Sequence, residues 1–275
     1  MLDINLLKLP TISEAGQQAL ELLSDDLIEM AYLADFLGKD PAIAANLLKY
    51  ANSPVYRRQV EVKSVRNAVT LLGLKTCKMA VGVTILQTYM SEPNAITEMV
   101  WAHSTSVATV ARLIAEKTYP ALVDDIETTA LMHDMGILVM VSSFSDSYLP
   151  MVEKCIAERT PLATNELENY NFTHDDVFEH LAKKLRIPQS TSQCIKQFHS
   201  PEPLIDISQE EHIHLAVCHL AHQLVYEYND RNGTASHGIQ EQLANDLDNL
   251  TPLLNISENM LDDLVEDAEM MLNIL

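Results

Sequence analysis

The chain has 275 residues, of which 47% are hydrophobic and 21% charged, so it is long enough for two compact units and too apolar to remain disordered. Its 39 acidic and 18 basic residues give a formal net charge of −21, which disfavours nucleic acid and anionic membranes as partners. Four widely separated cysteines and the lack of an N-terminal leader predict a cytoplasmic protein, and the longest apolar runs, near 79–86 and 137–141, are too short to span a membrane.

The first third of the chain has the pattern of several short amphipathic helices. The start of one helix is predicted at Pro41, with Asp40 as its N-cap. Proline lacks an amide hydrogen, which costs nothing at the first helical position. Gly73 interrupts the apolar periodicity before a longer helix predicted over residues 75–90. The polar loop at 91–94 is the predicted boundary between two units.

The most informative stretch is 129–141, where a His-Asp pair, His133 and Asp134, and a glycine interrupt an apolar helical run. A buried carboxylate is costly unless hydrogen bonds, an opposite charge or a metal compensates it. The preceding predicted helix, 96–117, carries a candidate partner, His103. An isolated histidine on an apolar face is more often a core residue with its hydrogen bonds satisfied. Two alternatives therefore remain open for His103, His133 and Asp134: they converge on an ion or on ordered water, or they simply pack in the core.

The remaining elements are also predicted to be helical. After a turn at 142–147, the pattern indicates helices at 148–158, at 162–170, from His174, from Pro188, and at about 207–228. Residues 238–275 then form an acidic appendage, whose last helix is predicted to start near Asn255 and to carry an apolar stripe. This stripe is expected to dock either near the basic window 57–78 or beside the 212–228 helix.

These motifs in their order resemble the HD superfamily and, more specifically, the HDOD domain, a bacterial helical module related to HD hydrolases. The resemblance spans about residues 6–225 and includes Asp40-Pro41-Ala42, Ala51-Asn52-Ser53 and Leu71-Leu72-Gly73. It implies an all-α protein made of an N-terminal HDOD helical subdomain, 1–93, and an HD-like helical subdomain, 94–237. The acidic appendage, 238–275, is expected to pack on this core.

The resemblance also implies a set of metal ligands. In HD proteins a histidine on one helix and a His-Asp pair on the next hold a metal, and the corresponding residues here are His103, His133 and Asp134. Relatives with several metals add a histidine matched by His174 and a His-His pair matched by Phe198-His199, of which one member is lost. His222 replaces the terminal aspartate of the HD pattern, with His219 as a second candidate.

Three functions follow from this resemblance. The favoured one is a non-catalytic or degenerate HD scaffold that acts in signal transduction through a protein partner. The alternative is a metal-dependent phosphohydrolase, in which His133 and Asp134 are catalytic and a divalent metal ion is the cofactor. The third is a structural adaptor with a dry site. Each departure from the HD ligand pattern weakens the enzyme hypothesis, because losing a carboxylate ligand lowers affinity for hard cations such as Mg²⁺.

Overall fold

The computed structural model describes residues 4, 7–9, 12–25, 27–53, 56, 61–89, 94–200, 204, 206–232 and 247–274. Among these residues there is no β-strand, so the predicted all-α fold is confirmed. The helices are α1 (Glu14–Leu22), α2 (Met30–Leu37), α3 (Pro41–Ala51), α4 (Val65–Tyr89), α5 (Ala95–Thr118), α6 (Val123–Met132), α7 (Met135–Glu158), α8 (Leu162–Tyr170), α9 (His174–Leu185), α10 (Gln189–Lys196), α11 (Glu210–Arg231), α12 (Leu247–Leu253) and α13 (Glu258–Leu272).

The chain divides into two compact units, residues 10–92 and residues 1–9 together with 93–275. Residues 91–93 of the predicted boundary loop lie outside the described residues. The finer division into 1–93, 94–237 and 238–275 stays a prediction.

In the smaller unit, α1, α2 and α3 pack against α4. The start of α3 follows from its sequence, because the Asp40 carboxylate accepts hydrogen bonds from the backbone amides of Ala42 and Ile43. Gly73 lies inside α4 with φ 74° and ψ 175°, a left-handed conformation that L side chains rarely adopt. The predicted break at Gly73 is therefore confirmed, because this non-helical residue lies at a kink between two helical stretches of α4.

In the larger unit, α5 packs against α6 and α11, α7 packs against α9, and α10 lies against both α9 and α11. This arrangement brings α5, the α6–α7 turn, the start of α9, the end of α10 and α11 together around one buried region. The predicted turn at 142–147 coincides with a kink inside α7, where Phe144 has a non-helical φ of −136° and ψ of 34° and separates two helical stretches.

The last helix, α13, packs against α5 and α11, which corresponds to the second of the two docking alternatives. It buries Leu264, Ala268 and Leu272. Its charged side carries Asp267, 2.6 Å from Nζ of Lys117, and Glu269, 2.7 Å from the Arg231 guanidinium. The predicted start near Asn255 is wrong by a few residues, because Asn255 is left-handed and Ser257 caps a helix that begins at Glu258.

Two helical stretches, Val65–Gln87 and Pro120–Glu158, are long and apolar enough to cross a membrane by length and composition alone. Of their apolar windows, 61% and 50% are buried inside the protein, a feature that core helices of soluble proteins share. The four cysteines form no disulfide and are buried, as expected of small apolar core residues.

Candidate metal centre

Three histidine side chains from three parts of the larger unit form a first group, His103, His133 and His222. Their ring centroids lie 4.8 Å apart for His103 and His222, 5.3 Å for His103 and His133, and 6.0 Å for His133 and His222. One nitrogen of each ring lies within 4.8 Å of one nitrogen of each other ring. This spacing allows one ion to contact all three imidazoles.

A second group consists of Asp134, His174 and His199, whose potential ligand atoms also lie within 4.8 Å of one another. Nε2 of His174 is 3.2 Å from Nδ1 of His199 and 3.8 Å from Oδ1 of Asp134. The second group therefore joins the start of α7 to α9 and to the segment that follows α10.

The Asp134 carboxylate links the two groups. Its Oδ2 atom lies 3.2 Å from Nε2 of His133 and 3.8 Å from Nε2 of His103, whereas its Oδ1 atom faces His174. One oxygen is thus directed toward each group. The six residues expected as ligands from the sequence, His103, His133, Asp134, His174, His199 and His222, are brought together in one region.

The His-Asp pair lies in a turn between α6 and α7, so the expectation that it lies within one helical run is wrong. His133 is the C-cap of α6, and Asp134, with φ −98° and ψ 4°, is the N-cap of α7. Nδ1 of His133 is 2.7 Å from the carbonyl oxygen of Ala130, to which it donates. This hydrogen bond leaves Nε2 of His133 facing Asp134.

Two carboxylates at the second group were missed by the sequence analysis. Asp175 Oδ1 and Oδ2 lie 2.9 and 3.0 Å from Nδ1 of His199, and Glu166 Oε2 lies 2.7 Å from Nδ1 of His174. Burial lowers the pKa of His174, but the Glu166 and Asp175 carboxylates outweigh it and raise this pKa from 6.5 to about 9. For Glu166 the sequence did contain an indication of burial, because this acidic residue lies between the apolar Leu162 and Tyr170 on one face of the predicted helix.

Phe198, which the HD resemblance places where relatives have a histidine, packs among the histidines of the site. Its ring stacks on His133 with centroids 4.6 Å apart, and it contacts the rings of His219 at 5.0 Å and His222 at 6.2 Å. Nε2 of His219 donates to the Phe198 carbonyl at 2.9 Å. His219, the second candidate for the terminal ligand, thus contacts the Phe198 backbone and belongs to neither group.

The centre is almost closed to solvent. The side chains of His133, Asp134 and His174 are 0% exposed, and those of His199 and His103 are 3% and 14% exposed. Five imidazoles and one carboxylate in a buried region form a donor set that suits a divalent transition metal. The residues therefore fit the metal that the HD resemblance implies.

The chain is similar to known proteins in sequence and in fold. Residues 9–201 match the HDOD domain family. No curated protein matches the chain in sequence. Three solved structures have a similar fold. Their sequence identities to this chain are low, so the similarity extends to the fold alone.

The first solved structure is an HDOD domain protein of unknown function from Geobacter sulfurreducens, with 22% identity, a TM-score of 0.65, and coverage of 97% of this chain and 88% of that one. The second is a proposed signal transduction protein from Marinobacter aquaeolei, with 20% identity, a TM-score of 0.68, and coverage of 96% and 60%. The third is a proposed phosphohydrolase from Shewanella amazonensis, with 18% identity, a TM-score of 0.69, and coverage of 96% and 91%. Because the family match covers most of its length, the chain belongs to the HDOD domain family.

Proposed function

We propose that this protein is a regulatory module of bacterial signal transduction whose larger unit binds divalent metal ions at the two groups. The main support for a metal site is the orientation of the Asp134 carboxylate, which directs one oxygen toward the first group and the other toward the second. The ligands would be His103, His133 and His222 on one side and His174 and His199 on the other, with Asp134 between them.

The degree of burial favours a regulatory role over catalysis. Structural zinc sites are closed by protein ligands, whereas catalytic sites keep a position open for water or substrate. Here the Asp134, His133 and His174 side chains are fully buried. A phosphate ester would have to reach these groups through protein. The similarity to a proposed signal transduction protein supports the same role, and the net charge of −21 favours a protein partner over nucleic acid.

Hydrolysis of phosphate esters is the second candidate function. It is favoured by the exposure of His103, whose side chain is 14% accessible and forms the open edge of the first group. A bound metal would polarise a phosphoryl oxygen and lower the pKa of bound water. In this function His133 and Asp134 would hold the reacting groups in place. The similarity to a proposed phosphohydrolase supports this alternative.

Elemental analysis of protein purified without a histidine tag tests the metal site. We expect at least about one equivalent of a divalent transition metal per chain, and its loss in Asp134→Asn. His212→Gln is the matched control, because His212 lies on α11 but contacts Asp206 at 3.4 Å and belongs to neither group. Equal metal content in wild type and Asp134→Asn would contradict the site, as would wild-type protein that takes up no divalent cation.

A screen with p-nitrophenyl phosphate and nucleotides separates the two functions. The regulatory role predicts no turnover by the metal-loaded protein. Turnover that is lost in Asp134→Asn and kept in His212→Gln would instead establish the phosphohydrolase function.

A further inference from the structure

Glu166 is a fully buried carboxylate on α8, outside the two groups, and it accepts three hydrogen bonds. Its Oε2 atom accepts from the backbone amide of His174 at 2.9 Å and from the His174 Nδ1–H group at 2.7 Å. Its Oε1 atom accepts a hydrogen bond from the Tyr148 hydroxyl. The side chains of Tyr148 and His174 are also buried.

The three donors explain how a carboxylate persists on an apolar face. Glu166 lies one helical turn after Leu162 and one turn before Tyr170, and all three residues are buried. A buried carboxylate is costly unless charge or hydrogen bonds compensate it, and three directed donors supply that compensation. Because the donors come from α7 and α9, Glu166 holds both helices in place relative to α8.

The hydrogen bond to Nδ1 determines which ring nitrogen of His174 is available. An imidazole that donates from Nδ1 presents the lone pair of Nε2 in its neutral form. Nε2 of His174 lies 3.2 Å from His199 Nδ1 and 3.8 Å from Asp134 Oδ1, so this nitrogen faces the second group.

We infer that Glu166, oriented by Tyr148, is the positioning residue that directs Nε2 of His174 to a divalent metal at the second group. A carboxylate behind a ligating histidine fixes its tautomer and raises its basicity, and loss of such a partner costs about 10–100-fold in metal affinity. This inference rests on the proposed metal site. It adds a residue from α8, a helix that carries no ligand of either group.

The test compares Glu166→Gln, Tyr148→Phe and Glu179→Gln. The glutamine introduced by Glu166→Gln keeps the size of the side chain and can still accept one of the hydrogen bonds, but the charge is removed. Glu179 is the matched control, because it lies on the same helix as His174 and its carboxylate is partly exposed between Lys183 and Lys196. Zinc affinity is measured by competition with a chromophoric chelator.

We expect Glu166→Gln to weaken zinc binding by about 10–100-fold, Tyr148→Phe to weaken it less, and Glu179→Gln to bind as the wild type does. The second measurement is ¹⁵N NMR of the histidine side chains in zinc-loaded protein. In the wild type, the His174 signals, identified by their loss in His174→Gln, should show a proton on Nδ1 and zinc on Nε2. In Glu166→Gln, the Nδ1 proton signal should shift or broaden.

Wild-type affinity in Glu166→Gln, or an equal loss in Glu179→Gln, would overturn the inference and leave the proposed metal site intact. Wild-type protein that binds no zinc or other divalent cation would instead overturn the metal site itself. If Glu166→Gln does not fold, Tyr148→Phe decides, since unchanged zinc affinity and unchanged His174 signals in that variant would contradict the inference.

Discussion

Gly136 lies so close to His174 that a Cβ atom added to Gly136 would stand 1.9 Å from the His174 carbonyl oxygen and 2.7 Å from the carbonyl carbon. This contact is between backbone atoms, which cannot move aside as the end of a side chain can. It allows the first turn of α7 to meet the first turn of α9, which places Asp134 beside His174.

The first prediction concerns this contact. Gly136→Ala should destabilise the larger unit by about 1–3 kcal/mol or more, because the added methyl group overlaps backbone. Urea unfolding measures the change. Gly16→Ala is the control, since the three atoms nearest to its added methyl group belong to the side chains of Ile12, Ser13 and Ile85 and lie at 3.0 Å or more. Equal stability of Gly136→Ala and the wild type would show that the two helices meet differently.

The second prediction is a metal-dependent change in stability. A ligand that binds only the folded state at about 100 times its Kd stabilises it by about 2.7 kcal/mol, which for a unit of this size raises Tm by roughly 5–11 °C. Fluorescence of Trp101 is a suitable readout, because the chain contains 1 tryptophan and it lies on α5 close to His103. Zinc should raise Tm in the wild type but not in Asp134→Asn, and EDTA should reverse the rise. An equal rise in both proteins would place the binding elsewhere.

The third prediction separates packing from metal binding at Phe198. Phe198→Ala should cost about 3–5 kcal/mol, because a fully buried ring is lost, and should also reduce the zinc-dependent rise in Tm, because the ring that stacks on His133 is gone. Phe172→Ala is the comparison, since the buried Phe172 ring packs against Phe144 and Tyr170, whereas Phe198 stacks on His133. It should lose stability and keep the zinc response. A full zinc response in Phe198→Ala would show that the ring only fills space.

The fourth prediction concerns the C-terminal helix. Removal of residues 255–275 should lower Tm or cause aggregation, because it uncovers the apolar sides of α5 and α11 against which α13 packs. Leu264→Ala, at a fully buried position, should cost about 2–5 kcal/mol, whereas Met270→Ala, 59% exposed, should change stability by less than about 0.5 kcal/mol. A monodisperse truncated protein with unchanged Tm would show that the helix is dispensable.

The sequence was informative where local chemistry decides the structure. The cap at Asp40 and the break at Gly73 follow from a side-chain acceptor and from a backbone conformation that favours glycine. The six residues of the two groups could be named because the HD resemblance places their counterparts in order along the chain.

The sequence was less informative where tertiary contacts decide. The apolar residues around His133 and Asp134 have helical periodicity on both sides, which hides the turn between α6 and α7. Glu166 has no motif of its own, and its role depends on donors from two other helices.

The family match ends at residue 201, yet His222 lies on α11, Glu210–Arg231. A fragment cut at the end of the match would lose one of the three imidazoles of the first group and the helix that covers α5 and α6. A fragment intended for fusion to another protein therefore has to extend to at least residue 231 if it is to keep all the candidate ligands and the whole of α11. In this family member, the segment that is recognisable in sequence is shorter than the segment that has to fold together.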